Sequence, residues 1–195
     1  MKQLLFALAA CHGLVTASAA ALPEGPPAIS VAIKESLGAK PDILVAVWPD
    51  GSILWSKDRE DGGPPYLSGK TDPAKVTAFL TKLDKEGVFK KGPDDLVYVG
   101  PDASYHEIDL LRGNHYVYLQ SWHELYERNP KTVGTSHGLA IIGEGETREQ
   151  ILAKETAEYR AYRQLWKEIR DFTTSLIPLQ GSPAEAPPKF KYPEE

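Results

Sequence analysis

The residues best able to do chemistry gather between Tyr105 and His123. Glu107 and Asp109 stand two apart, so in a strand they share one face, a spacing that suits acid/base hydrolysis of a cell-envelope polymer; it equally suits a solvated face of carboxylates beside tyrosines. Tyr105, Tyr116, Tyr118 and Trp122 are spaced to alternate in the same way, and Trp48 and Trp55 flank another turn. Rings set among carboxylates and Gln120 make a surface that could stack on a glycan or bury a protein partner or a second copy, the competing reading being that the aromatic side is itself the core. His106 and His123 are diagonal neighbours able to approach one metal ion. That site needs a third ligand, and Glu107 and Glu124 are expected to project to the opposite face. His115 lies eight residues from His123, roughly 26 Å along a strand, so all three cannot share an ion. Histidines at strand ends reached by water are the simpler reading, and no metal or other cofactor is expected.

Other motifs carry less. Ser136-His137 has nearby acids, but adjacent side chains point apart, and no Gly-x-Ser-x-Gly elbow exists to expose a nucleophile. Gly143-Glu144-Gly145-Glu146 precedes a helix as phosphate loops do, yet its carboxylates would repel an anion. Cys11 is the only cysteine and falls in a leader-like segment, so bridges, thiolate zinc sites and a cysteine nucleophile are not expected in the mature chain.

The elements that must position these residues announce themselves by turns and caps. Ile43 to Trp48, Pro49-Asp50-Gly51-Ser52 and Ile53 to Ser56 read as a β-hairpin. In that register Trp48 and Trp55 project to one side, with Val45, Val47 and Leu54 on the other. Tyr105 to Arg112, Gly113-Asn114 and His115 to His123 read as a second hairpin. A two-residue loop sets Leu110 against Val117 and Ile108 against Leu119, and Asp109 against Tyr118 and Glu107 against Gln120 on the other face. Between the hairpins, Asp72 as N-cap, Pro73 at the first position and Gly87 past the last turn bracket a helix whose buried stripe is Val76, Phe79, Leu80 and Leu83. A longer helix opens at Thr147, with Gln150 completing a capping box, and runs to about Leu176 before Pro178. Ile29 to Lys34 alternates as a strand. The expected fold is α+β: an antiparallel sheet of about five strands with two helices on one face.

The chain has 195 residues, 42% hydrophobic and 25% charged, enough for one core, with no apolar run long enough to span a bilayer. Its formal charge of -5 has the wrong sign for holding a phosphate backbone, so nucleic acid is not an expected partner. Residues 1–21 show the order of a secretory signal peptide: Lys2, an apolar stretch from Leu4 to Val15, then small residues before Leu22-Pro23. Cleavage is expected after Ala19 or Ala21, giving a secreted or periplasmic protein. Leu8-Ala9-Ala10-Cys11 offers an alternative lipobox with Cys11 acylated, but about six apolar residues before it are too few. Residues 22–27 read as a linker, 28–177 as a single domain and 178–195, with five prolines, as a disordered tail. The glycine-rich stretch from Asn129 to Glu146 is long for a connection; its patch Leu139-Ala140-Ile141-Ile142 either docks as a short strand or forms a mobile recognition loop.

Ile33 to Leu37, the Gly38-x-x-Pro41 turn, a hydrophobic strand, Pro-Asp-Gly-Ser, and a helix ending near Gly87-Val88-Phe89 before a second hairpin together resemble a family of exported bacterial domains of unknown function. The resemblance covers residues 29 to 123 and supports the fold. Leu37 and Lys40 stand where that family often carries cysteines, so any thiol chemistry the resemblance implies there is absent. The functional expectation is a non-catalytic binding or structural module using an aromatic sheet face, with hydrolysis at Glu107 and Asp109 as the alternative.

Overall fold

The computed structural model describes residues 21–34, 42–92, 94–100, 104–143 and 145–193. The signal-like segment with Cys11, the Gly38-x-x-Pro41 turn with Leu37 and Lys40, and Glu144 lie outside the described residues.

Strand β1 (Ile29–Lys34) forms as its alternation implies, and it is paired on both sides. Antiparallel to one edge run β2 (Asp42–Val47), β3 (Ser52–Ser56) and β4 (Tyr66–Lys70). A β-bulge at the β1–β2 pairing turns both Leu44 and Val45 to the same core. After helix α1 (Pro73–Lys85) and a 3₁₀ turn (Val88–Lys90) comes the short β5 (Val97–Tyr98), then β6 (Tyr105–Arg112), which pairs with the far edge of β1, and β7 (His115–Ser121). β5 joins β7 in parallel and every other ladder is antiparallel. The one-turn helix α2 (His123–Tyr126) leads to a separate ribbon, β8 (Thr132–Thr135) and β9 (Gly138–Ile141). Helices α3 (Arg148–Ala153) and α4 (Ala157–Ser175) follow, and β10 (Ser182–Ala184) returns to pair with β4. The result is mixed α and β: among the described residues, a mainly antiparallel sheet of eight strands in the order β10-β4-β3-β2-β1-β6-β7-β5, with four α-helices. Five strands and two helices understate it. No helix among the described residues is long and apolar enough to cross a membrane.

The main core lies between one sheet face and helices α1 and α4. Val76, Phe79, Leu80 and Leu83 are buried on α1, and Asp72 caps it by accepting from the Ala74 N–H at 2.8 Å. Tyr159, Tyr162, Trp166 and Ile169 of α4 meet Ile29, Val31, Ile108, Leu110 and Leu119 in the same cluster. The two helices touch through the Phe79 and Phe172 rings, stacked 3.8 Å apart between centroids.

The expected long helix is two. Thr147 and Gln150 form the capping box, but a second N-cap, Thr156, accepts from the Tyr159 N–H at 3.1 Å. Glu155 is drawn away to accept from Ser136, and Arg160 donates to the free carbonyls of Ala153 at 3.0 Å and Glu155 at 2.7 Å. Side chains thus satisfy the backbone groups that a continuous helix would have paired.

Of the segment 178–195, expected as a disordered tail, the described part carries β10 and then lies across the second sheet face as far as Tyr192. Ala184 and Phe190 pack on a smaller core of Ala32, Ile43, Ala46, Trp48, Leu54 and Tyr66.

Because Phe79 is buried and joins both helices to the sheet, Phe79→Ala should cost roughly 3–5 kcal/mol, a large share of a domain's stability. Urea unfolding measures this; wild-type stability would show that α1 does not dock through Phe79.

Candidate functional site

Strand alternation splits each central strand between the two faces. Ile29, Val31 and Ile33 face the helices, while Ser30, Ala32 and Lys34 line the other face, opposite Asp109, Glu107 and Tyr105 of β6. The second hairpin has the register its two-residue loop dictates, with Gly113 at φ +62°. Glu107 therefore meets Gln120 and Asp109 meets Tyr118 on this second face, and Tyr116 follows on the same side.

Both carboxylates are buried, at 3% and 6% exposure, a state that requires partners. Glu107 pairs with the Lys34 ammonium and accepts from the Gln120 carboxamide at 2.6 Å. Asp109 accepts from the Tyr116 hydroxyl at 2.8 Å and lies within hydrogen-bonding reach of Glu107. Burial first, and then the Glu107 charge, push the Asp109 carboxyl up to about 7. Burial depresses the Lys34 ammonium, but Glu107 and Asp109 outweigh it and raise the group above its ordinary value. Burial, and next Asp109, raise the hydroxyls of Tyr116 and Tyr192.

The roof of this site is the C-terminal segment. Phe190 sets its edge on Trp48 at 5.8 Å, and Tyr192 stacks on Tyr116 at 4.6 Å with planes 12° apart. Between roof and floor remains a cleft of about 260 Å³, reached by Ser30, Lys34, Glu107, Asp109 and Lys189. The arrangement presents hydrogen-bonding oxygens, an amide and ring faces, a constellation suited to holding a ligand.

The aromatic residues expected to form one open face divide. Trp55 lies opposite Val45 and is buried in the helix-side core, whereas Trp48 is buried on the second face beneath Phe190. The turn is one residue shorter than expected. Asp50 accepts from the Ser52 N–H at 2.8 Å and Gly51 takes φ +80°, so Trp48 bonds Ser52 and the loop is Pro49-Asp50-Gly51. One residue of slip reverses the face of every side chain in β3. Tyr116 and Tyr118 do sit on the second face, half-buried. Trp122 leaves it: it starts α2, packs on Tyr126 at 5.6 Å, and comes so near Gly100 that a Cβ there would lie 2.2 Å from the ring.

The two histidines are on the helix side, their rings 6.5 and 5.3 Å from that of Trp166. Burial holds the imidazolium of His106 down to about 4 and that of His123 to about 2. Glu124, expected to point away, turns to His106 Nε2 at 3.7 Å because Arg170 holds it from α4. Among the described residues no group of three or more His, Cys, Asp and Glu is placed to hold a metal ion.

Two participants escaped the sequence. Lys34 was legible as the last residue of an alternating strand, on the face of Ser30 and Ala32. Tyr192 was legible in the alternation Lys189-Phe190-Lys191-Tyr192, the pattern of an extended segment with one aromatic side. No family model matches the chain, and neither a curated protein nor a solved structure matches it.

The folded state holds an Asp109 proton that the unfolded state has released between about pH 4 and pH 7, so this group's contribution to stability is lost as pH rises through that window. Asp109→Asn keeps the shape and removes the titration. Its stability relative to wild type should rise by roughly 2–4 kcal/mol between pH 4 and pH 8, read from denaturant midpoints. A difference independent of pH would show that Asp109 titrates as an ordinary carboxylate.

Proposed function

We propose that the protein is an exported, non-catalytic binding module whose ligand face is the second face of the sheet around Tyr116, Tyr118, Gln120 and the Glu107–Asp109 pair. The observation that carries this reading is the roofed cleft. Buried, mutually satisfied carboxylates beside half-buried tyrosines form a prearranged polar floor, and its present cover is a protein segment of the same chain. An acidic floor under a roof bearing Lys189 favours a protein partner with basic and aromatic residues over a neutral glycan.

Tyr118 tests the face because it is half-buried and lacks the tie to Asp109 that Tyr116 has. A ligand drawn from a peptide library or a glycan array should bind the full chain, and Tyr118→Ala should weaken it by about 1–3 kcal/mol with the thermal midpoint little changed. Unchanged affinity for every ligand found would remove this face. Export is checked separately: mass spectrometry of the mature protein should place its N-terminus between Ala20 and Leu22, and a diacylglyceryl group on Cys11 would replace secretion by anchoring.

The raised Asp109 favours one second reading, a hydrolase of cell-envelope polymers in which that carboxyl donates a proton near neutral pH. Its sign would be polymer cleavage by the purified chain that is abolished in Glu107→Gln.

A further inference from the structure

The segment that roofs the cleft has the composition of a ligand. Pro187-Pro188 favours an extended, polyproline-like backbone, and Phe190 and Tyr192, two residues apart, place their rings on Trp48 and Tyr116 while Lys189 and Lys191 stay exposed. In doing so the segment crosses from the β4 edge, over β2, to β7. It is held by rings: among the described residues, no backbone–backbone hydrogen bond ties 185–193 to the rest of the chain. It also fills its track incompletely, leaving the cleft of about 260 Å³ over the acid pair and a second space of about 420 Å³ beside Trp48, between Pro188 and the Leu22–Pro26 stretch. Lys189 shares the cleft with the only buried carboxylates among the described residues, Glu107 and Asp109.

From these features, and resting on the binding-face reading above, we infer that the second face is a groove for a partner's extended peptide of proline-led, alternating basic and aromatic sequence, and that residues 187–192 occupy it in cis until such a peptide displaces them. Proline-rich segments dock on aromatic-lined grooves because their extended form loses little entropy on binding, and a tethered copy competes at an effective concentration near millimolar. An incoming peptide therefore meets a site that is already shaped and only weakly closed.

The test uses the full chain and a fluorescein-labelled peptide of residues 182–193, followed by anisotropy. The variant carrying Phe190→Ala with Tyr192→Ala frees the groove and should bind this peptide at least tenfold more tightly than wild type does. The same peptide with its two rings replaced by alanine should not compete. Equal affinity of wild type and a folded double variant overturns the inference, as does equal binding of a scrambled peptide. Nuclear magnetic resonance on isotope-labelled wild type gives an answer that needs no variant: excess unlabelled peptide should move the chain's own Phe190 and Tyr192 ring signals away from their stacked positions on Trp48 and Tyr116, and unchanged signals overturn the inference. If the double variant binds N-acetylglucosamine oligomers and not the peptide, the peptide inference fails while the binding face stands. Failure to bind either probe overturns both.

Discussion

Everything in this fold is hung on the two-sided pairing of Ile29–Lys34. One six-residue strand joins the β2–β3–β4 half of the sheet to the β6–β7 half, its alternate residues fully committed to different faces. Ile29 and Val31, both at 0% exposure, supply the centre of the helix-side core. Ser30 and Lys34 supply the floor of the cleft and the cation that neutralises Glu107. Since strand side chains alternate, neither role can change without the other: a register slip at β1 would bury lysine under the helices and expose isoleucine to the tail.

Burying two carboxylates on the second face makes floor and roof interdependent. Without the Lys34 ammonium, the Gln120 amide and the Tyr116 hydroxyl, desolvation would forbid the pair. With them, Tyr116 is fixed in place, and the fixed ring is what Tyr192 stacks on. Electrostatics in the floor thus determines where the tail lands. A similar hub works on the helix side, where Glu127 accepts from Arg163 at 2.9 and 3.0 Å and from the Gly134 N–H at 2.8 Å, fastening the β8–β9 ribbon to α4. Gly134 is needed there, since a Cβ would meet that of His123 at 2.5 Å.

What was legible in the sequence was what local chemistry decides. The caps of α1 and the Gly113-Asn114 loop act within a few residues, and the helix stripe and the partners of Glu107 and Asp109 follow from them. The Pro49-Asp50-Gly51-Ser52 turn was visible too, but its length depends on whether Ser52 belongs to loop or strand. The Asp50 side chain decides that, and with it the face of Trp55. The break before α4 and the ordering of the tail depend on residues far along the chain: Ser136 reaching Glu155, Trp48 and Tyr116 receiving Phe190 and Tyr192. Proline content describes the tail's flexibility when free; it is silent about a surface waiting for two rings. The candidate site was half legible for the same reason, its floor written in β6 and β7 and its lysine and roof contributed by the two ends of the described chain.

The ends of the sheet bear on how the molecule keeps from sticking to itself. A row of unpaired backbone groups invites another chain, and here the two outermost strands are only three and two residues long, with Pro183 in the middle of the first. Inside that guard lies β4, whose Tyr66 is buried and whose Leu67 packs on the main core, a five-residue strand that would be a ready template for association if uncovered. The three residues of β10 thus act as a gatekeeper against edge-to-edge aggregation, and any event that peels the tail back as far as Ser182 trades an open groove for an open edge.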